Sequence, residues 1–328
     1  MISASWPDRH LRVQLTPEQV DRAVGAVVAS AAGDALGVPY EFGSAPYPGL
    51  PAMVGGGLGG FAPAEWSDDT AQAFAILEVA ATGADLRTTE ALDRIARGFA
   101  EWYAGGPADV GVQTSAVLRR AGRTPTAAQM RAAAREVHEQ TGRSAGNGSL
   151  MRTVPVALAH LDDPDALVDA AIRVSALTHH DPMAGEACAV WCLMLRHAIL
   201  EGEWLRELPP VGATRDWPAT LREAERQEPE AFTHNAWVVG AMRAAWSAIT
   251  HTDVPAEDPP GHLRLALARA IGIGHDTDSV GAIAGGMLGA RWGASAVPDG
   301  WLAKLHGWRD QTGAGLAELA RRTVEVAD

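Results

Sequence analysis

TPEQVDRAVGAVVASAAGDALGVPYE, residues 16–41, decides the fold. Thr16 reads as a helix N-cap, Pro17 suits the first helical position, and Gln19 reaches back to complete a capping box. The spacing of the apolar residues that follow predicts a helix to about Ala35. Gly25, Ala29, Gly33 and Gly37 recur every four residues, and so do Gly281, Gly285 and Gly289. Each set lays a small-residue stripe along a helix face and permits close backbone approach. The same glycines cost roughly 1 kcal/mol each against alanine in helix propensity, so a compensating contact is expected. The expectation is that the two helices pack on each other and bring Glu41 near Asp276 and Asp278.

Away from this stretch the pattern stays helical. Helices are predicted near 70–82, 88–104, 109–121, 126–140, 151–160, 164–176, 182–202, 216–228, 232–250, 260–272, 279–291 and 310–326. Thr126 with Gln129 offers a second capping box. No series of alternating apolar and polar residues reads as strands, so the class is all-α, with short irregular pieces at 40–66. The 328 residues alone would suggest about two domains. The polar motifs, however, lie near 33–41, 67–70, 144–152, 178–181 and 275–279. If they form one site, residues 16–328 are a single domain wrapped around it, behind an N-terminal extension at 1–15.

Composition narrows the function. The chain is 47% apolar with a formal charge of -13. The apolar share suits a globular protein, and the charge does not suit a stable grip on a nucleic-acid backbone. Lys304 is the only lysine. Cys188 and Cys192, spaced i, i+4, read as small core residues rather than a disulfide framework, which fits a cytoplasmic location. No signal peptide is legible, and without a run of about 18 apolar residues no membrane span is expected.

Two short motifs carry chemistry: Ser67-Asp68-Asp69-Thr70 and Asp276-Thr277-Asp278-Ser279. Each reads alone as a capped helix start with favourable dipole charges. Together they offer an all-oxygen site for hard divalent cations, suited to magnesium, manganese or calcium rather than zinc. His275 stands beside these ligands and reads as supporting them from behind or as purely structural rather than as a ligand. Gly146-Asn147-Gly148-Ser149, after Ser144, is either a plain turn or a loop whose N–H groups approach a phosphate. Arg152 pairs structurally or with a ligand phosphate. Thr178-His179-His180-Asp181-Pro182 ends one helix and starts another, with Asp181 and Pro182 as N-cap and N1. Trp191, Trp237 and Trp246 read as core, and Trp66 as core or as pocket mouth.

In this order, Gly33-Asp34-Ala35-Leu36-Gly37 with Glu41, Ser67-Asp68-Asp69-Thr70, Gly146-Asn147-Gly148 with Met151-Arg152, Thr178-His179, and Asp276-Thr277-Asp278-Ser279 resemble the ADP-ribosylglycohydrolases, which include the dinitrogenase-reductase-activating glycohydrolases. The resemblance spans most of the chain. It implies an all-α, compact, orthogonal helical domain around a central dinuclear metal cleft, holding two divalent cations, Mg²⁺ first and Mn²⁺ second. It also implies hydrolysis at the distal ribose C1″ of an ADP-ribosylated target, releasing ADP-ribose. Position by position, Ser67, Asp68, Asp69, Asp276, Asp278 and Ser279 would be metal ligands. Glu41 and Asp69 would be catalytic, with Glu41 positioning or deprotonating water. Ser144, Gly146, Asn147, Gly148 and His179 would hold the ADP-ribose. Two departures stand out. Ser279 replaces the family's frequent threonine and keeps the hydroxyl, whereas Ala145 stands where some members carry an aromatic, leaving Phe42 or Trp66 to compensate. A metal-dependent phosphoesterase or pyrophosphatase, or a non-catalytic ADP-ribose binder, would share parts of this pattern. The leaving group has no legible signature.

Overall fold

The computed structural model describes residues 14–325; most of the expected 1–15 extension lies outside them. Among the described residues there are fourteen α-helices. They are α1 Pro17–Gly37, α2 Asp68–Ala80, α3 Thr89–Ala104, α4 Val112–Ala121, α5 Ala127–Thr141, α6 Val154–Ala159, α7 Pro164–Ser175, α8 Pro182–Glu201, α9 Trp217–Ala224, α10 Val238–Thr250, α11 His262–Gly272, α12 Thr277–Trp292, α13 Asp299–Leu302 and α14 Gly313–Val324. Both capping boxes form, at Thr16 with Gln19 and at Thr126 with Gln129. Where the chain departs from a helical reading, the reason is local. Residues 232–237 are a loop that starts α10 late, and the start of the predicted 310–326 helix is a small antiparallel ladder, His306–Gly307 against Gln311–Thr312. Two-residue strands are too short to show alternation.

Helices α1 and α12 form the axis of the molecule. A Cβ added to Gly25 would overlap the Gly289 carbonyl, one on Gly33 that of Gly281, and one on Gly37 that of Thr277, while one on Gly285 would overlap Ala29. The stripes therefore face each other in antiparallel register, as expected. Ser30 donates to the Ala282 carbonyl at 3.0 Å and Thr277 to the Gly37 carbonyl at 2.7 Å, tying the pair across its length. Both helices are nearly all buried, and their side chains join one continuous apolar core running from Val20 to Ala320.

α1 and α8 are long and apolar enough to cross a membrane by composition, yet all and 78% of their respective apolar windows are buried in this core. Cys188 and Cys192 are free and buried on α8. Trp191 and Trp246 meet edge to face with centroids 6.5 Å apart. Trp66 is only 2% exposed and packs under the hairpin, its amide donating to His306 O at 3.1 Å. It is a core residue, not a pocket wall.

Candidate metal centre

Both acidic motifs open helices, so the capping reading and the cation reading describe the same residues. Ser67 is the N-cap of α2 and accepts from the Asp69 amide, while Asp276 is the N-cap of α12. Two positive helix ends thus point at the acids they carry. Asp34, fully buried on α1, fastens α2 to that axis. Its carboxylate accepts from the Ser67 amide at 2.9 Å, the Thr70 amide at 3.0 Å and the Thr70 hydroxyl at 2.6 Å.

Glu41 follows α1 in a tight turn, Val38–Gly43. The α1–α12 contact delivers it to the opposite motif: carboxylate oxygens of Glu41, Asp276 and Asp278 lie within 4.8 Å of one another, all three residues buried. The second motif reaches the first through Ser279, whose hydroxyl donates to Asp69 Oδ1 at 3.4 Å. Asp69 Oδ2 is buried with no hydrogen-bond partner. Asp68 and Ser67 stay outside the three-carboxylate group, with Asp68 Oδ2 accepting from Gln72 Nε2 at 2.8 Å. Burial, and then the charge of Asp109, push Glu41 and Asp68 up to about 8. Burial and then Asp278 hold Asp69 well above the carboxylate range, and burial and then Asp276 do the same to Asp278. Burial also raises Asp276. Like charges packed this closely resist ionisation unless a cation joins them. The orphaned Asp69 oxygen and the all-oxygen donor set fit hard divalent cations.

The glycine loop borders this cluster. Asn147 donates through Nδ2 to Asp276 Oδ2 at 3.0 Å and to the Asn235 carbonyl at 2.9 Å, so the loop and the acids share one hydrogen-bond network. The His179 ring packs against Gly146 and Gly148; a Cβ on Gly148 would stand 3.2 Å from His179 Cε1, so the ring would have to shift to admit it. Ser144 is buried beneath the loop, its hydroxyl 2.6 Å from His138 Nδ1 and its carbonyl accepting from Gln113. Arg152 is fully buried, which removes the phosphate contact considered for it. Asp181 caps α8 as expected.

Residue reasoning missed four contributors. Asp34 sat in a quoted motif with no role read for it. Asn235 holds the Asp276 amide at 3.1 Å and the Gly274 carbonyl at 3.0 Å, but the sequence put it inside a predicted helix. Gln72 looks like an ordinary helix residue. Asp109 lies in the loop before α4, half-buried and near enough for its charge to raise Glu41 and Asp68.

Known proteins share this architecture. The profile of the ADP-ribosylglycohydrolase family matches residues 15–328. The chain is 30% identical to the ADP-ribosyl-[dinitrogen reductase] glycohydrolase of Rhodospirillum rubrum, over 88% of this chain and 92% of that protein. It is 27% identical to the ADP-ribosylarginine hydrolase Tri1 of Pseudomonas putida (strain GB-1), over 95% of this chain and 81% of that one. A solved structure described as an ADP-ribosylglycohydrolase-related protein complex superposes with a TM-score of 0.67 at 26% identity, covering 94% of this chain and 99% of the other. With its helical axis, acidic cluster and glycine loop in place, the chain belongs to the ADP-ribosylglycohydrolase family.

Proposed function

We propose that this enzyme is a metal-dependent hydrolase that cleaves the C1″ glycosidic bond of an ADP-ribosylated target and releases ADP-ribose. The observation that carries the reading is the orphaned, buried Asp69 Oδ2 beside a carboxylate group already crowded past easy ionisation. Ser67, Asp68, Asp69, Asp276, Asp278 and Ser279 would hold two divalent cations, Mg²⁺ by preference with Mn²⁺ accepted. Bound there, the cations supply orientation of the ribose hydroxyls and acidification of water.

The chain's own residues do the rest. Glu41, at the end of its turn, takes the proton of the attacking water. Asp69 and its neighbours present negative charge to the positive character that develops at an anomeric carbon. Gly146, Asn147 and Gly148 offer an uncrowded loop to the ADP-ribose, with Ser144 beneath it and His179 along its side. Phe42, 55% exposed next to Glu41, would be the aromatic that stands in for the one absent at Ala145. Residues 16–328 work as one catalytic domain, in the cytoplasm.

A panel of defined ADP-ribosyl linkages, assayed with Mg²⁺ and Mn²⁺, tests the reading. ADP-ribosylarginine is the first substrate to try, because one relative is named for it. Free ADP-ribose as product supports glycosidic cleavage. AMP would mean pyrophosphate cleavage, and binding without turnover on every linkage would mean a non-catalytic binder.

A further inference from the structure

Arg152 is the only lysine or arginine that is buried among the described residues. Burying a guanidinium costs several kcal/mol unless its donors are well matched. Here no carboxylate answers it directly. One NH₂ group donates to Gln72 Oε1, the other donates to Thr178 Oγ1 at 2.6 Å, and the cation stands 4.3 Å from the centroid of Phe99. A methionine would fill such a position at lower desolvation cost, so the charge calls for a reason.

That reason lies in the direction of its hydrogen bonds. A guanidinium only donates. Its bond to Gln72 Oε1 turns the amide so that Gln72 Nε2 must face Asp68, where it donates to Oδ2 at 2.8 Å. Its bond to Thr178 leaves that hydroxyl one proton to give and one neighbour to receive it, His179 Nδ1 at 2.8 Å. His179 Nδ1 is then an acceptor, and a neutral ring carries its proton on Nε2. The Nε2 edge faces Gly146 and Gly148.

We propose that Arg152 is a positioning residue that polarises two hydrogen-bond chains from one buried point, orienting Asp68 in the metal centre and fixing His179 as an Nε2–H donor toward the glycine loop. This rests on the proposed ADP-ribose site and deepens it. Arg152 touches neither substrate nor metal. It makes the metal half and the nucleotide half of the cleft depend on a single side chain.

The test uses the whole chain labelled with [¹⁵N]histidine. Long-range proton–nitrogen spectra of the metal-free wild type should show His179 Nε2 protonated and Nδ1 bare, a readout independent of turnover. Thr178→Val should disturb that signature and weaken ADP-ribose binding about tenfold, with Mn²⁺ affinity unchanged; Thr178→Ser should restore the signature. Gln72→Leu should weaken Mn²⁺ binding and leave the His179 signature intact. Arg152→Met should move both; if it fails to fold, the Thr178 and Gln72 variants still decide. A wild-type His179 protonated on Nδ1, or Thr178→Val and Gln72→Leu that leave their own readouts unmoved, overturns the proposal. If the wild type shows the Nε2–H signature but does not bind ADP-ribose, the ligand assigned to the site falls, and with it the role of His179 as donor to it.

Discussion

The amide of Phe42 donates to the carbonyl of His275 at 2.6 Å, and both residues hold left-handed backbone, with φ of 44° and 63°. Each stands one position from a carboxylate of the cluster, Glu41 and Asp276. Left-handed geometry in residues with a Cβ costs about 1–2 kcal/mol apiece and persists where surrounding contacts impose it. This joint sets where Glu41 sits relative to Asp276. Replacing Phe42 by glycine removes the strain and frees the turn. Stability of Phe42→Gly in urea should rise by at most about 1 kcal/mol, since glycine returns part of the gain as chain entropy. Mn²⁺ affinity should fall severalfold. Calorimetry showing unchanged affinity would mean that the joint does not constrain Glu41.

Asp69→Asn should abolish hydrolysis, and Asp276→Asn should do the same, each leaving a folded chain by circular dichroism. Without metal at neutral pH, Asp69→Asn should be more stable than the wild type, because the amide need not take up the proton that burial and Asp278 force on the folded carboxyl. Sub-millimolar EDTA should silence the wild type, and full turnover by stripped protein would refute the mechanism.

The crowded acids also set a pH dependence. Glu41 and Asp68 ionise at about 8 in the folded, metal-free protein, against about 4 in an unfolded chain. Between those values the folded state binds more protons, so stability falls as pH rises. Burial lowers His160, His179 and His262, which acts in the opposite sense below about pH 6.5. Melting curves of chelator-treated protein should therefore drop from pH 6.5 to 8. Added Mg²⁺ or Mn²⁺ should flatten the drop, as cations displace the protons. A metal-free profile that climbs across that interval would contradict the shifts.

The α1–α12 contact predicts a sharp size limit. Gly33→Leu places a side chain against the Gly281 carbonyl and should cost about 3 kcal/mol or more. Gly281→Ala, a smaller intrusion at the same crossing, should also weaken metal binding by moving Glu41 away from Asp276 and Asp278. Gly300→Ala, with open space around it, should change neither. Denaturant midpoints and metal titrations of the three variants check this.

The helices were legible because their signals are local. Thr16 with Gln19 and Thr126 with Gln129 announce their own helix starts, and the four-residue glycine spacing named its partner stripe before any contact was visible. Asp34, Asn235 and Asp109 were opaque for the opposite reason. Their roles exist only through groups 33 to 167 positions away, such as Ser67, Asp276 and Asp276 again. Gln72 was hidden because an amide inside a helix looks the same whether it faces water or an aspartate. The hairpin at 306–312 was too short to carry a period.

The glycine-to-glycine seam has a consequence for how such an enzyme can diversify. The gauge between Glu41 and the aspartates of α12 is set by two main chains in contact, not by side chains that drift with each substitution. The loop at 43–65 and its exposed Leu50, Val54 and Leu58 stand outside that seam. Side chains there can change without touching the two main chains that set this gauge, so variation in sequence and constancy in the spacing of the acids fall in separate parts of the chain.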